Sequence, residues 1–303
     1  MVVQVLEHLY LGSFDDVMKH IELSENHVHV QAVLTVDLKP LNCEVSAQFC
    51  YKHIPILDME NENLLVHLDD AVSFMDNHRL DNKDVIVHCT AGQSRSAAVV
   101  IAYLMWKLQM DYKDSFEYLK KLKPDIRPNR GFEEQLTMYE HMGWRLDKTN
   151  KAYRQFELER IGAMVTSGRE ITELGEFLNG VEDVRSPSNS LTYKCKKCRQ
   201  TLFSEANVIY HMAGIGNEAF SKPWQKMTAN TGSDCKSGLF IEPMKWMAGL
   251  GEITGKIGCM KCSAKVGSWS WSGERCCCGT WVTPAFHIDN KKVDKSVPVR
   301  LPS

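Results

Sequence analysis

The sequence predicts an α/β domain followed by a small β-rich domain, and three observations support this division. The first half alternates short apolar runs with amphipathic stretches, as layered α/β domains do. Of the eleven cysteines, three precede residue 150 and eight follow residue 190. Residues 1–150 carry 15 Lys and Arg against 23 Asp and Glu, a net charge of −8, whereas residues 151–303 carry 21 against 15, a net charge of +6.

Hydrophobic periodicity predicts the elements of the first half. Prolines at 124 and 128 separate its last two helices, because a proline ring does not fit a helix interior. The predicted strands are 28–36, 51–57 and 84–88, and the predicted helices are 64–79, 94–107, 112–122 and 131–141.

The middle of the chain predicts a boundary between domains. A further helical pattern covers 150–161, and the segment 165–190 turns to Gly, Ser, Glu and Pro, which is typical of a linker. We therefore expect a first domain at 1–150, a helix and linker at 151–190, and a second domain at 191–303.

Neither a leader nor a membrane span is evident in the sequence. The first residues lack a basic segment followed by an apolar block, and the longest wholly apolar run, 97–106, is too short to cross a bilayer. We expect a soluble intracellular protein with no membrane partner. In that reducing environment its cysteines are expected to be free thiols or metal ligands, not disulfides.

Residues 88–96, HCTAGQSRS, predict an anion site with a nucleophile at its base. They join an apolar run to a strong helix former, and a strand–loop–helix turn directs backbone N–H groups and the helix dipole at one point. Cys89 lies in this field, which favours a thiolate. Gly92 permits a tight loop, Arg95 offers a planar fork to two phosphate oxygens, and Ser96 can donate to the sulfur. A buried structural thiol would not explain why these residues occur together. The predicted phosphate-binding loop consists of Thr90, Ala91, Gly92, Gln93, Ser94 and Arg95.

At this point the sequence resembles a known family. HCTAGQSRSAAVVIAYLM is similar to the signature of the cysteine-dependent protein tyrosine phosphatases, in their compact dual-specificity branch. The opening VLEHLYLGSFDD resembles the first strand and turn of such domains, and PNRGFEEQL resembles their last helix and its lead-in. The resemblance implies a central mixed sheet flanked by helices. It also implies phosphoprotein substrates, a phosphocysteine intermediate and no cofactor for this chemistry.

The family mechanism also needs a carboxyl group that protonates the leaving oxygen and then activates water. Asp58 is the candidate, because it ends an alternating strand 31 residues before the nucleophile, about the separation that the family uses. Glu60 and Glu62 lie in the same loop and are alternatives. His88 is expected to pack beneath the phosphate loop without acting as a base, and Asn129 is expected to be a structural brace.

The cysteines of the second half have the spacing of metal ligands. Two Cys-x-x-Cys pairs and a cysteine triplet are separated by one histidine and one further cysteine, and two thiolates on a tight turn reach one zinc ion. A redox dithiol is the alternative for one pair, but several pairs on short strands favour metal. The candidate ligands are Cys195, Cys198, His211, Cys235, Cys259, Cys262, Cys276 and Cys278.

Order along the chain suggests how these ligands pair. We expect the C-terminal site to combine Cys259 and Cys262 with two cysteines of the triplet. Neighbouring residues in extended backbone point in opposite directions, so Cys276 and Cys278 are favoured and Cys277 faces outward. The first pair, Cys195 and Cys198, then takes His211 and Cys235, with His287 as the substitute for the histidine.

The C-terminal half carries a second resemblance. FIEPMKWM and GSWSW…CCCGTWVTPAFHI are similar to the zinc-binding region that follows the catalytic domain in one group of dual-specificity phosphatases. The usual pattern there is Cys, one residue, Cys, Gly, and this chain has Cys277 as the spacer. The resemblance implies two structural zinc ions, a role in maturation of the large (60S) ribosomal subunit, and a location in cytoplasm and nucleus.

Charge offers an independent indication of partners. Lysines surround the first cysteine pair and crowd the C-terminus, and Trp269, Trp271 and Trp281 are either partly exposed or part of a core. A basic surface favours a ribonucleoprotein partner over a membrane. Three hypotheses remain open: a protein phosphatase whose zinc domain targets it, a zinc-dependent 60S assembly factor in which phosphatase activity is secondary, and a phosphatase for RNA ends or phospholipids.

Overall fold

The protein forms two compact units, Met1–Asp147 and Lys148–Ser303. The structure is a computed structural model that describes residues 1–22, 30–168, 174–175, 177–179, 191–211, 235 and 238–297. Most of the predicted linker at 165–190 lies outside the described residues. Within the described ranges, we find no helix with the length and apolar character that crossing a membrane requires.

The first unit is built on a mixed sheet, as expected, and this sheet has five strands, of which hydrophobic periodicity predicted three. Its strands are β1 (Val3–Leu6), β2 (Leu9–Ser13), β3 (Val30–Val36), β4 (Cys50–Ile54) and β5 (Asp84–Cys89). They lie in the order β1-β2-β5-β3-β4, and only the β1–β2 pair is antiparallel. Val85, Ile86 and Val87 of the central strand β5 are wholly buried, which is typical of a parallel strand covered on both faces.

Six helices complete the described part of the first unit. Four of them confirm the predicted helices to within one residue at each end, whereas the first two were not predicted. The helices are α1 (Phe14–Glu22), α2 (Cys43–Ser46), α3 (Leu65–Leu80), α4 (Arg95–Leu108), α5 (Tyr112–Leu122) and α6 (Arg130–His141). Every residue of α4 from Arg95 to Met105 is buried. The helix that follows the phosphate loop is therefore fixed by packing along most of its length, and it holds the loop in turn.

In its described residues, the second unit combines the helix α7 (Lys151–Thr166) with ten short strands. These strands are β6 (Thr192–Cys195), β7 (Thr201–Ser204), β8 (Val208–Ile209), β9 (Leu239–Ile241), β10 (Thr254–Gly258), β11 (Lys265–Ser270), β12 (Glu274–Arg275), β13 (Trp281–Val282), β14 (Ala285–Ile288) and β15 (Val293–Ser296). They form sheets in the orders β10-β11-β14-β9-β8, β15-β6-β7 and β12-β13, all with antiparallel pairs. The second region is thus β-rich, as expected.

Helix α7 belongs to the second unit, which corrects the expectation of a connecting helix. Leu158, Ile161 and Val165 are buried in one apolar cluster with the strands of this unit. A Cβ at Gly162 would lie 3.4 Å from the Trp271 ring, so the helix backbone approaches that ring closely. The prediction differed because a helical pattern in the sequence does not reveal which sheet the helix covers.

Candidate active site and metal centres

Cys89 lies at the end of β5, where the strand turns into the phosphate loop. Its side chain is 1% exposed. Two groups donate hydrogen bonds to its sulfur: the Gly92 N–H at 3.2 Å and the Ser96 hydroxyl at 3.1 Å. The loop and the first turn of α4 therefore hold one sulfur atom from two sides, which orients it as a nucleophile.

Gly92 is required by the shape of this loop. Its φ is +69°, and a Cβ built on it would lie 2.5 Å from the carbonyl oxygen of Gly12. Any other residue would be strained and would collide with the end of β2. The Phe14 N–H donates to the Thr90 carbonyl at 3.2 Å. The end of β2 therefore contacts the loop both at Gly92 and at Thr90.

Arg95 is held in place by a carboxylate that the sequence analysis did not identify. Its Nη1 donates to Asp37 Oδ1 at 2.6 Å, and its Nη2 donates to Thr90 Oγ1 at 3.0 Å. Thr90 Oγ1 in turn donates to Asp37 Oδ2 at 2.5 Å. Residue Arg95 is 8% exposed, and its buried Nε has no hydrogen-bond partner among the described residues. The Nε–H group of Arg95 can therefore donate a hydrogen bond to an anion bound in the loop.

The electrostatics of Asp37 follow from these contacts. Partial burial acts to raise the pKa of its carboxyl group, but hydrogen bonds from Thr90 and Arg95 and the Arg95 charge hold that pKa below its ordinary value. The sequence could have indicated Asp37 as a site residue, because it directly follows β3. This strand lies beside β5 with Thr35 opposite His88, so the two strands end at the same edge of the sheet.

Asp58 is joined to the phosphate loop by hydrogen bonds. Its Oδ1 accepts from the Ser94 hydroxyl at 2.6 Å and from Asn129 Nδ2 at 2.7 Å. Asn129 also caps α6, because its own Oδ1 accepts from the Phe132 N–H at 3.0 Å. For the alternatives, the exposed Glu60 and the half-buried Glu62, no side-chain bond to the loop is observed among the described residues.

Helix α6 also orders the segment that carries Asp58. The wholly buried Gln135 accepts from the N–H groups of Leu64 and Leu65 at 2.7 and 3.2 Å, and it donates to the Glu62 carbonyl at 2.8 Å. A Cβ at Gly131 would lie 2.0 Å from the carbonyl oxygen of Glu60, so the two backbones touch. Gln135 was not identified from sequence, because a helical glutamine gives no sign of its partner.

His88 packs beneath the loop and is hydrogen-bonded there, as expected. Its Nε2 lies 2.8 Å from Thr35 Oγ1, and the two share a hydrogen bond. Burial lowers the pKa of His88 to about 4, because the buried site cannot solvate the charged ring. A ring that stays neutral and is bonded away from the loop supports the strand end and does not act as a base there.

The eight predicted metal ligands form two groups, but the pairing is not the expected one. The first group is Cys195, Cys198, Cys259 and Cys262, and the second is His211, Cys235, Cys276 and Cys278. The expectation failed because order along the chain does not determine spatial neighbours. The two Cys-x-x-Cys turns, after β6 and after β10, face each other and together supply four thiols.

The spacing of the ligand atoms fits tetrahedral zinc. The Sγ atoms of Cys195 and Cys262 are 3.8 Å apart, and those of Cys198 and Cys259 are 3.6 Å apart. With zinc–sulfur bonds of about 2.3 Å, the edge of a tetrahedron is about 3.8 Å. A disulfide would need about 2.05 Å. In this group the donor set and its spacing fit zinc.

The second group has matching geometry. Cys235 and Cys276 have their Sγ atoms 3.7 Å apart, and Cys278 Sγ lies 3.4 Å from His211 Nε2. Cys277 is exposed and outside the group, as expected. A Cβ at Gly238 would lie 2.5 Å from the Cys276 sulfur, so this glycine leaves room for a ligand, a requirement that sequence did not reveal.

Two further expectations concern residues outside these groups. His287, the proposed substitute ligand, belongs to neither group: its ring stacks on Phe240 at 4.7 Å, and its Nδ1 bonds to Glu274 at 3.1 Å. Trp269 and Trp271 are buried, whereas Trp281 is 42% exposed. Two of the three tryptophans therefore form core and cannot serve a partner.

Comparison with known proteins covers both units. The model of the dual specificity phosphatase catalytic domain matches residues 9–142. The chain is 37% identical to dual specificity protein phosphatase 12 of Mus musculus over 98% of this chain and 90% of that protein. It is 30% identical to tyrosine-protein phosphatase YVH1 of Saccharomyces cerevisiae over 97% of this chain and 91% of that protein. The crystal structure of the Yvh1 phosphatase domain from Chaetomium thermophilum aligns with 48% of this chain and 99% of its own, at 25% identity and a TM-score of 0.43.

Proposed function

We propose that this chain, which belongs to the dual specificity phosphatase family in the group that contains dual specificity protein phosphatase 12, hydrolyses phosphotyrosine and phosphoserine or phosphothreonine in proteins. One observation carries the proposal: a buried thiol, an arginine and a carboxyl group are joined through a single phosphate loop. The proposed reaction runs through a phosphocysteine at Cys89 and needs no metal.

In the first step the Cys89 sulfur attacks phosphorus. A sulfur–phosphorus bond forms while the bond from phosphorus to the ester oxygen breaks, and Asp58 gives its proton to that oxygen. The hydrogen bonds of Ser94 and Asn129 to one oxygen of Asp58 support this role, because they fix the carboxyl group beside the loop. The product alcohol or phenol then leaves.

In the second step the phosphocysteine is hydrolysed. Asp58, now a carboxylate, takes a proton from water as the water oxygen attacks phosphorus, and the phosphorus–sulfur bond breaks. The electron pair returns to Cys89, and the Ser96 hydroxyl, 3.1 Å from the sulfur, stabilises it as it leaves. Arg95 and the loop N–H groups bind the phosphoryl oxygens in both steps, where charge develops.

Substitution of the nucleophile tests this assignment. Cys89→Ser is expected to lower turnover of an aryl phosphate by at least about 10⁴-fold, because the hydroxyl is a far poorer nucleophile. Cys50→Ser, at an exposed thiol of β4, is the matched control and is expected to retain activity. Activity retained by Cys89→Ser would contradict the proposal.

A series of leaving groups tests the acid. Asp58→Asn is expected to slow esters of poor leaving groups much more than esters of good ones, because only poor leaving groups need the proton. Glu60→Gln is the control within the same loop. Equal losses across the series for Asp58→Asn, or a leaving-group dependence in Glu60→Gln, would assign the acid elsewhere.

We further propose that the two ligand groups bind two structural zinc ions and that the second unit targets the enzyme to its partner. The fit of the sulfur and nitrogen spacing to tetrahedral zinc supports the ions. Metal analysis of the full chain is expected to give about two zinc ions per chain, one for each closed four-ligand site. A value near one ion per chain would show that only one of the two ligand groups binds zinc.

A second candidate function is zinc-dependent assembly of the 60S ribosomal subunit, in cytoplasm and nucleus, with phosphatase activity secondary. The net charge of +6 in residues 151–303 supports contact with a ribonucleoprotein. In cells that lack the protein, rescue by the Cys89→Ser chain but not by residues 1–190 would favour assembly. Failure of the Cys89→Ser chain would favour the phosphatase.

A further inference from the structure

One groove in the second unit is lined by five lysines. It has a volume of about 1090 Å³, and Lys196, Lys197, Lys265, Lys291 and Lys292 all line it. All five residues are exposed. We call this feature the lysine groove. Its volume is at the upper limit of small-ligand pockets, which is enough for a short extended segment of another chain.

Backbone hydrogen bonds bring these lysines together. The Lys196 N–H donates to the Lys292 carbonyl at 3.0 Å, next to the antiparallel pairing of β6 and β15. The Asp289 N–H donates to the Val266 carbonyl at 2.9 Å, which links the turn before β15 to β11. Main-chain geometry therefore keeps three lysine-bearing segments adjacent despite the repulsion between their charges.

The charges of the lysine groove are not balanced within the described part of the chain. Among the groove residues only Asp289 carries a carboxylate, and no ion pair with a described residue is observed for any of the five ammonium groups. Zinc in the neighbouring four-cysteine site would leave a charge of about −2 there. Together with Asp289 that offsets three of the five positive charges, so a positive surplus remains for an anionic ligand.

Resting on the proposed phosphatase function, we propose that the lysine groove docks acidic, phosphorylated segments of the protein substrate. Residues 1–150, with a net charge of −8, repel such segments at long range, and a cationic groove on the same chain offsets that repulsion. A substrate held there has a raised effective concentration at the catalytic loop. The groove thus acts on substrate affinity and not on the chemical step.

The lining favours a phosphopeptide over RNA. Proteins that bind single-stranded RNA stack bases on aromatic rings or on arginine, and the described residues that line the groove include neither an arginine nor a free aromatic ring. Its one ring, that of His287, is already stacked on Phe240. Lysines act as point charges and suit phosphate and carboxylate groups in a flexible, extended chain.

The test compares two peptides on the full, zinc-loaded chain. Each carries one phosphotyrosine, joined by a flexible glycine–serine linker to a segment of either glutamates or glutamines. In the wild type the glutamate peptide is expected to have the lower KM with the same kcat. Lys291→Glu/Lys292→Glu is expected to raise KM for the glutamate peptide about tenfold while leaving the glutamine peptide and an aryl phosphate unchanged.

The control changes net charge equally outside the groove. Lys256→Glu/Lys261→Glu is expected to leave the ratio of the two KM values as in the wild type, with zinc content measured for both variants. If the ratio of the two KM values is the same in the wild type and in Lys291→Glu/Lys292→Glu, the docking proposal is wrong, whereas the phosphatase proposal is unaffected. Loss of single-stranded RNA binding in that variant, with the peptide ratio unchanged, identifies an RNA site and also overturns docking. A wild type that hydrolyses none of the three substrates refutes the proposed function itself.

Discussion

The two units of this chain hold their functional residues in opposite ways. In the first, the proposed catalytic residues lie at the edge of a sheet whose central strand is buried from Val85 to Cys89, and α4 is buried from Arg95 to Met105. In the second, the longest described strand has six residues, and the ligands Cys195 and Cys259 are themselves members of the apolar cluster. In the first unit, the apolar core supports the site from below. In the second unit, some of the candidate ligands are themselves part of the apolar core.

This difference determines what should break each unit. Without metal, four thiols converge at one place beside the apolar cluster of the second unit, and the bonds that an ion would form to them are missing. The first unit contains neither of the two ligand groups. Loss of zinc is therefore expected to damage the second unit, and loss of buried polar contacts to damage the first.

The largest expected effect concerns the crossed ligand pairs. Cys195→Ala/Cys262→Ala removes two ligands of one group and is expected to leave about one zinc ion per chain, whereas Cys195→Ala/Cys276→Ala affects both groups and is expected to leave almost none. A structural zinc ion is worth about 10–16 kcal/mol in zinc-finger peptides, so each loss is measurable by metal analysis and by unfolding. Cys277→Ala is the control and keeps both ions. Almost no zinc in both double variants would restore pairing by chain order, because each variant would then remove one ligand from each site.

A second prediction concerns pH and His88 in the first unit. The pKa of His88 is lowered to about 4 in the folded state, against about 6.5 in an unfolded chain. The unfolded state therefore binds more protons between these values, so stability is complete above about pH 6.5 and falls as pH drops towards 4, by about 3 kcal/mol. The urea midpoint of the helical circular dichroism signal measures this change.

His88→Asn keeps a polar partner for Thr35 and lacks a titrating ring, so its midpoint is expected to depend less on pH across this range. His141→Asn, at an exposed position in α6, is expected to retain the wild-type slope. If the slopes of both variants equal that of the wild type, then His88 is not the group responsible.

The next largest effect is the loss of activity expected on substitution of Asp37. Asp37→Asn removes the charge that holds Arg95, and a displaced clamp is expected to lower kcat/KM about 10²-fold. Inhibition by inorganic phosphate is expected to weaken as well, because the same guanidinium binds phosphate, and a purely structural role would leave it unchanged. Asp81→Asn, which loses only an exposed ion pair with Lys83, is the control.

The smallest effect is expected at Gln135. Gln135→Ala leaves the N–H groups of Leu64 and Leu65 without their partner, which costs about 1–3 kcal/mol of stability. The segment that carries Asp58 is then less well ordered, so turnover of poor leaving groups is expected to fall more than turnover of good ones. Gln48→Ala, at an exposed side chain, is expected to change neither quantity.

Sequence revealed the features of this molecule that are local. The strand, loop and helix around Cys89 are contiguous, so the anion site followed from nine residues. The eight residues that form the two possible metal-binding groups followed from their spacing. Asp58 followed from its position after a strand, and its role as the acid remains a proposal.

The features that sequence did not reveal depend on which distant segments meet. Asp37 contacts Arg95 because β3 lies beside β5 in the sheet. The residues around these two positions do not reveal the order of the strands. The ligand pairs cross because two distant turns face each other. Helix α7 joins the second unit because its apolar face matches that core, which its periodicity alone does not indicate.

The independence of the two sites is tested most directly by following aryl phosphate turnover while a chelator removes zinc from the full chain. We expect turnover to stay within about twofold of its starting value as zinc falls from two ions to none, because the catalytic residues depend on an apolar core without metal. The near-ultraviolet signal of the buried Trp269 and Trp271 is expected to disappear over the same range. A loss of turnover in proportion to zinc would contradict the account.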